Sequence, residues 1–298
     1  MLAVSGGLDS MVLLDAAAAV APDRIAAVAT FDHRTGAAAV AASALVADAA
    51  RALHFDVVIG YASDGGTSAA SPASESSWRD ARWRFLTDVA VQRQAVVVTA
   101  HTRDDQVETV LMRVLRGTGA RGLAALAADG RALRPLLDFS RATLARYAGA
   151  RSLRWVEDPS NASRRYLRNR VRLELLPALE RARPGLSDEI QRLGVRAADL
   201  RRQVDQVART MCDAPAGGDA GATIARVRLT GYDEQALALL WPALAARAGV
   251  TLDRRGTARL VRFTTTARHG RRVQLSGGWE VLLHRDRFLV RRSEQRGA

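Results

Sequence analysis

Two short stretches hold the residue types that could act on a phosphate ester. The first is Ser5-Gly6-Gly7-Leu8-Asp9-Ser10, between the apolar run Leu2 to Val4 and a helical pattern that starts at Met11. A strand, a glycine turn and a helix start form a phosphate cradle. Free backbone N–H groups point outward there, and the helix dipole adds positive charge. Gly6 and Gly7 allow positive φ and close approach, and Ser5 and Ser10 add hydroxyls. This is not a Walker A loop, which needs a lysine; all 44 cationic side chains of the chain are arginine. Asp9 beside phosphates is repulsive unless a cation lies between, so it implies Mg²⁺ or an amine. A plain strand-to-helix turn capped by Ser10 or Asp9 is the other reading of the same string.

The second stretch is His101-Thr102-Arg103-Asp104-Asp105-Gln106-Val107-Glu108, after the β-branched run Val96 to Thr99. Asp104, Asp105 and Glu108 fall in the first turns of an amphipathic helix. They either complement its dipole or face a metal-bound triphosphate.

These stretches need a sheet whose strands end at one edge. Ile25 to Phe31, His54 to Ile59 and Ala95 to Thr99 read as further buried strands, separated by helices at Ala37 to Leu53 and Glu75 to Gln92 capped by Ser74 or Ser77. Arg131 to Leu137 holds a last strand and its exit, followed by a helix capped at Ser140. The expected fold is α/β, a Rossmann-like parallel sheet over 1–180. A basic helix runs from Asn161 or Ser163 to before Pro177. Ser187 opens a long helix whose apolar stripe is Ile190, Leu193, Ala197, Leu200, Val204, Val207 and Met211, a connector or a self-association seam that allows a homodimer. With the flexible stretch Asp213 to Ala222 it forms a linker over 181–222. A small α+β domain over 223–298 carries two helices (Glu234 to Ala248, Leu252 to Arg262) and a hairpin turning at Ser276-Gly277-Gly278.

The net charge of +13 favours a polyanionic partner, since guanidinium groups fork onto phosphates and stack on bases. Nucleic acid is the expected class, and the C-terminal piece reads as an RNA-docking module. Candidate contacts are Arg79 and Arg82 beside Trp78 and Trp83, Arg116 and Arg121 in a glycine-rich loop, and Arg165, Arg168 and Arg170 in the basic helix. His33, at the end of the second strand, is a nucleotide contact or a polar cap. One cysteine, Cys212, leaves no disulfide framework and no CxxC site. No apolar run approaches the roughly 20 residues that cross a bilayer, so no membrane partner and a cytoplasmic location are expected. The strand ahead of the glycine turn is unusually short, which raises the expectation of a longer natural start.

Ser5 to Ser10 resembles the SGGxDS loop of the N-type ATP pyrophosphatases, or PP-loop superfamily. Within it, four ordered segments are similar to the tRNA(Ile)-lysidine synthetase family: Ser5 to Ser10; Glu75 to Trp83; His101 to Gly122; and Glu157-Asp158-Pro159-Ser160-Asn161 through Tyr166, Arg168, Asn169 and Arg170. The resemblance covers about residues 1–180. It departs from the family at Asp32-His33-Arg34-Thr35-Gly36, where a His-rich turn is usual. It implies a ligase acting on the wobble cytidine of tRNA(Ile) with a CAU anticodon, in two steps. The cytidine O2 attacks the α-phosphate of ATP and releases pyrophosphate, and free lysine then displaces AMP at C2 to leave lysidine. It implies that Ser5, Gly6, Gly7, Leu8, Asp9, Ser10 and His101 bind ATP. Asp9 and Asp105 hold Mg²⁺ or orient the lysine ammonium, and Arg116, with Arg168 and Arg170, stabilises charge at the α-phosphate. A tRNA thiolase using the same adenylation, and a non-catalytic RNA-binding protein, are the alternatives.

Overall fold

A computed structural model describes residues 1–62, 75–158, 163–213 and 220–293. They form two compact units, Met1–Arg116 with Ala125–Gly194, and Gly117–Ala124 with Val195–Ala298. Ser74, Pro159 and Asn161, named above as a cap and turn, lie outside the described residues.

In the first unit five parallel strands, β1 (Leu2–Ala3), β2 (Val28–Asp32), β3 (Val57–Tyr61), β4 (Val97–Thr99) and β5 (Ala132–Leu133), stand in the order β3-β2-β1-β4-β5. Helices α1 (Leu8–Val20), α2 (Ala37–Ala52), α3 (Glu75–Gln92) and α4 (Arg103–Leu115) follow the first four strands. The turn α5 (Ala120–Leu123) counts with the second unit. Successive strand residues face opposite sides of the sheet, and both sides are covered. Ala27, Ala29, Val97 and Ala132 pack on Leu86, Val89 and Ala90 of α3. Leu2, Val4 and Val28 pack on Met11 and Leu14 of α1 and Val46 and Ala50 of α2. The strand order reverses between β1 and β4. Their carboxyl ends therefore open side by side, at the switch point where such sheets bind ligands.

β2 and β3 begin later than the apolar runs suggest. A 3₁₀ turn at Pro22–Arg24 consumes the approach to β2, and His54, at φ +62°, turns the chain out of α2 before β3. The basic helix also differs. After α6 (Arg141–Ala150) it forms as α7 (Leu167–Arg170), a π turn (Val171–Leu175) and α8 (Leu176–Ala182). It runs through Pro177 instead of ending before it, because the wide π turn resets the phase and leaves the proline in a first turn, where no N–H is required.

The long helix is α9 (Leu186–Met211). Its buried line is Gly194, Ala197, Ala198, Ala208 and Met211, while Leu193, Leu200 and Val207 of the expected stripe stay 40–45% exposed. Close approach sets this rotation: a Cβ at Gly194 would collide with the amide of Gln106. Ser187 does not cap α9 with its oxygen; its N–H and hydroxyl both donate to Glu180.

The second unit pairs β6 (Cys212–Asp213), β7 (Ala220–Ala225), β10 (Arg287–Arg292), β9 (Trp279–His284) and β8 (Arg272–Leu275) as an antiparallel sheet in that spatial order. Both ends of the expected linker Asp213 to Ala222 are thus strand. Helices α10 (Glu234–Arg247) and α11 (Arg254–Thr266) share a core with it, where Trp241 meets Phe288 edge-on and donates its indole N–H to Thr264 Oγ1 at 2.7 Å. Thr264, at a helix position, thereby satisfies the one polar atom of a fully buried tryptophan.

Gln106 is fully buried, and its Oε1 accepts from the N–H groups of Leu126 (2.6 Å) and Ala127 (3.2 Å). Replacing it by Ala strands two buried donors beside a cavity. Gln106→Ala is expected to lower the stability of the first unit by about 2–4 kcal/mol, read as the shift of its denaturant midpoint. A midpoint at the wild-type value would show that the side chain is dispensable.

Candidate active site

The glycine turn folds as its composition requires. Gly6 sits at φ +82°, and a Cβ there would come within 2.8 Å of both the Cβ and the carbonyl oxygen of Ala42. Ser10 is buried; its Oγ accepts the Ser5 N–H (3.1 Å), donates to the Gly7 carbonyl (2.9 Å) and lies 3.2 Å from Ser5 Oγ. The Gly6 carbonyl accepts the N–H of Val156 (2.9 Å), so the segment before Asp158 braces the turn. Gly7 caps α1 without a side-chain hydrogen bond. Among the described residues none accepts the N–H groups of Gly6, Gly7, Leu8 or Asp9. Four donors at a helix start are therefore available to an anion.

Asp9 faces the same space from the first turn of α1. Its Oδ1 is buried and has no hydrogen-bond partner among the described residues; the nearest cation is Arg141 Nε at 3.9 Å. Burial pushes its carboxyl up to about 6; Arg141 and Arg172 oppose the rise, and Asp105 and Asp104 add to it. An orphaned carboxylate oxygen among other acids fits a cation, and Asp9 is the residue here suited to Mg²⁺ or an ammonium.

The acids after β4 have partners. Thr102 caps α4 in a reciprocal box with Asp105, whose Oδ2 accepts the Thr102 N–H (2.9 Å) and hydroxyl (3.0 Å). Asp105 Oδ1 accepts Arg168 Nη2 at 2.6 Å and lies 3.5 Å from Arg172 Nη2. Glu108 is buried, with Oε2 accepting Arg168 Nε (2.8 Å) and Arg172 Nη2 (3.1 Å), and Oε1 accepting Arg172 Nε (2.5 Å). Burial works against the charge on Asp105, but Arg168 and the Thr102 hydrogen bonds outweigh it and hold the carboxyl below its usual range. Asp104 Oδ2 accepts the backbone N–H of Arg141 (2.8 Å). The expectation that Asp105 ligates Mg²⁺ thus meets a carboxylate whose oxygens already hold Thr102 and an arginine. No group of three or more His, Cys, Asp or Glu among the described residues is arranged for a metal ion.

Above this pair sits a cationic wall. Arg82, on α3, is largely buried, with Nε unpartnered among the described residues; burial first, then Arg79 and Arg168, lower its proton affinity. His101 accepts from or donates to Thr99 Oγ1 at 2.8 Å, and burial pushes it down to about 4, so the imidazole is neutral near pH 7. His33 packs edge-on against Phe31 at 4.9 Å and faces Trp78 at 6.2 Å; its Nδ1 is buried without a hydrogen-bond partner, and burial lowers its pKa.

The fold thus brings together Ser5 to Ser10, Arg82, His101, Asp105 and Arg168. It does not bring Arg116 there: that residue follows the last turn of α4, about 16 Å along the helix from Asp105. Arg121 belongs to the second unit and forks onto Asp205 at 2.6 and 3.2 Å. Arg79, Arg165 and Arg170 are exposed. Two members escape the sequence reading. Arg172 is one helical turn beyond Arg168, a spacing that matches the one-turn offset of Asp105 and Glu108 and could have named it. Arg141 gives no local signal, since only tertiary structure places it beside Asp9.

The profile of the PP-loop domain matches residues 1–179. The tRNA(Ile)-lysidine synthase of Burkholderia pseudomallei is 36% identical over 96% of this chain and 60% of its own length, and that of Salinispora tropica is 41% identical over 75% of this chain and 69% of its own. The chain belongs to the tRNA(Ile)-lysidine synthase family of PP-loop proteins. It spans about 60% of the length of its Burkholderia relatives. Among solved structures, the U34-tRNA thiolase NcsA of Methanococcus maripaludis with its [4Fe-4S] cluster aligns over 66% of this chain and 71% of its own at a TM-score of 0.55 and 16% identity, which is a likeness of fold. The PP-loop of this chain is the turn Ser5 to Ser10, and it meets the Asp105–Glu108 cluster at the β1/β4 switch point.

Asp9 gives the PP-loop a pH signature. Its carboxyl binds a proton more tightly in the folded chain (about 6) than at its ordinary value of 3.8. Folded stability is therefore greatest below pH 4 for this group and falls as pH rises through 6. Asp9→Asn is expected to stabilise the protein by about 2–3 kcal/mol more at pH 7.5 than at pH 4, read from paired thermal melts. An equal effect at both pH values would remove Asp9 ionisation as the cause.

Proposed function

We propose that this chain adenylates the wobble cytidine of tRNA(Ile) bearing a CAU anticodon with ATP and then joins free lysine to C2, releasing pyrophosphate and AMP. The observation that carries this reading is the Asp9 oxygen beside four N–H groups of a glycine turn, all without partners among the described residues, a place for both anion and cation. The Gly6 to Asp9 amides, with Ser5 and Ser10, bind the pyrophosphate half of ATP. Asp9 would hold Mg²⁺, which would neutralise charge on the departing phosphates. Charge at the α-phosphate in the transition state is met by Arg168, fixed in place by Asp105 and Glu108, and by Arg82, whose Nε has a hydrogen bond to give. In place of the expected Asp105–metal contact, Asp105 acts here by aiming Arg168.

Neutral His101 sits beside these cations as a hydrogen-bonding group that adds no charge. The target cytidine lies in a single-stranded loop, so leaving its stack costs little. Lysine enters as the free amino acid, its ammonium attracted by the carboxylates at the same edge. Exposed Arg79, Arg165 and Arg170 supply tRNA phosphate contacts, and Arg116 and Arg121, on the loop after α4, are further candidates for the same role. Pairing of two copies would use Leu193, Leu200 and Val207 of α9. The kinship with tRNA(Ile)-lysidine synthases supports this reading over a thiolase. The lone cysteine supports it too, because cluster-dependent sulfur transfer needs several thiolates.

Incubation with ATP, Mg²⁺, lysine and candidate tRNAs, followed by mass analysis of nucleosides, tests the reaction. Lysidine and AMP are expected; ADP, or no modified nucleoside, rejects it. Asp9→Ala is expected to cut lysine incorporation at least 100-fold, as loss of a preorganised charge does, while tRNA is still retained. The tRNA affinity of the wild-type chain should fall with log salt at a slope of about 0.7–0.9 per phosphate neutralised. A flat response would count against arginine contacts.

A further inference from the structure

Arg141 has no role in the reading above, yet it is the nearest cation to the PP-loop carboxylate. It is the first residue of α6, whose start is fixed from three directions. Ser140 Oγ accepts the Thr143 N–H (3.2 Å), the Phe139 carbonyl accepts the Arg103 N–H (3.0 Å), and the Arg141 N–H donates to Asp104 (2.8 Å). Further along, Tyr147 of α6 and Arg151, the residue that caps its end, both reach Asp15 of α1, at 2.7 and 3.0 Å. The helix that carries Arg141 is therefore pinned to the helix that carries Asp9. Its backbone is rigidly placed and its side chain is not.

The guanidinium is about 40% exposed, and among the described residues the acid it approaches is Asp9, whose Oδ1 stands 3.9 Å from Nε, too long for a hydrogen bond. No described residue accepts its N–H groups. An arginine that served only to neutralise Asp9 would close onto it, as Arg168 and Arg172 close onto Glu108 at 2.5–3.1 Å. Arg141 instead stands off, beside the open amides of the turn, with five donors to offer.

We infer that Arg141 is a ligand of the departing pyrophosphate, a cation that stands near Asp9 and forks onto the β- and γ-phosphate oxygens when they occupy the PP-loop. This rests on the adenylation reading above. The geometry gives the reason for an arginine at this point. Phosphates entering the turn bring negative charge against Asp9, and a flexible cation within reach of both can follow that charge. A bidentate guanidinium matches phosphate oxygens where an ammonium makes a point contact.

Inorganic pyrophosphate and AMP, each with Mg²⁺, are titrated calorimetrically into the wild-type chain, Arg141→Ala and Arg141→Lys. The Ala substitution leaves the backbone N–H to Asp104 in place, and the thermal midpoint of each variant checks the fold. The expected result is roughly ten- to hundredfold weaker pyrophosphate binding by Arg141→Ala, partial recovery in Arg141→Lys and unchanged AMP binding. Pyrophosphate binding by a folded Arg141→Ala at wild-type strength overturns the assignment and leaves the adenylation reading standing. Equal loss of pyrophosphate and AMP binding also overturns it, as a structural effect. A wild-type chain that makes no AMP from ATP and tRNA overturns the reading itself, and the assignment with it.

Discussion

A carboxylate buried as deeply as Glu108 is tolerated only with its charge matched, and this constraint organises the first unit. Removing a charged group from water costs several kcal/mol unless cations and hydrogen bonds replace the hydration. Glu108 and Asp105 obtain both from Arg168 and Arg172. These arginines are 60 or more residues away in sequence, so the match forces the chain after α6 back to the sheet edge from which α4 departs. The π turn at Val171–Leu175 is part of that return, as it carries Arg172 while allowing the helix to pass Pro177. What the acids gain in neutrality, the arginines gain in fixed direction.

The PP-loop is built on the opposite principle. Among the described residues several of its polar groups are left open: four amides without acceptors, one carboxylate oxygen without a donor, and an arginine that stands off. Gly6 lets the turn run against Ala42, and Ser10 ties its two ends together, so the loop is shaped without spending the donors that face outward. Side by side at the switch point are thus a saturated charge cluster and an unsaturated one. The saturated cluster fixes the direction of its arginines, and the unsaturated one has a reason to bind.

Much of this was legible in the sequence. The Ser5–Ser10 string, the strand periods and the α3 bounds at Glu75 and Gln92 are local signals, and the parallel sheet follows from them. The failures share one cause, which is that tertiary contact overrides local pattern. The α9 stripe reads through Leu193 and Leu200 because they are large apolar residues, yet both stay exposed while Gly194 beside them is buried, since the neighbouring Gln106 leaves no room for a side chain there. At Asp105, nothing local says that Arg168 and the capping box share its oxygens. Arg116 looked close to the chemistry in sequence, but α4 carries it away along its axis.

At Arg82 an arginine, and not a lysine, has a physical reason. Burial and the neighbouring Arg79 and Arg168 all act to strip the proton from that position. A lysine, with an ordinary value near 10.4, loses its charge readily when buried among other cations. A guanidinium starts so much higher that the same environment leaves it protonated, and its planar fork keeps a donor for an incoming phosphate. The same argument extends to Arg134, which is likewise half-buried and depressed first by burial and then by Arg79. A wall of clustered cations with few compensating anions can be held charged by arginine alone, so the side-chain chemistry at this sheet edge follows from its crowding.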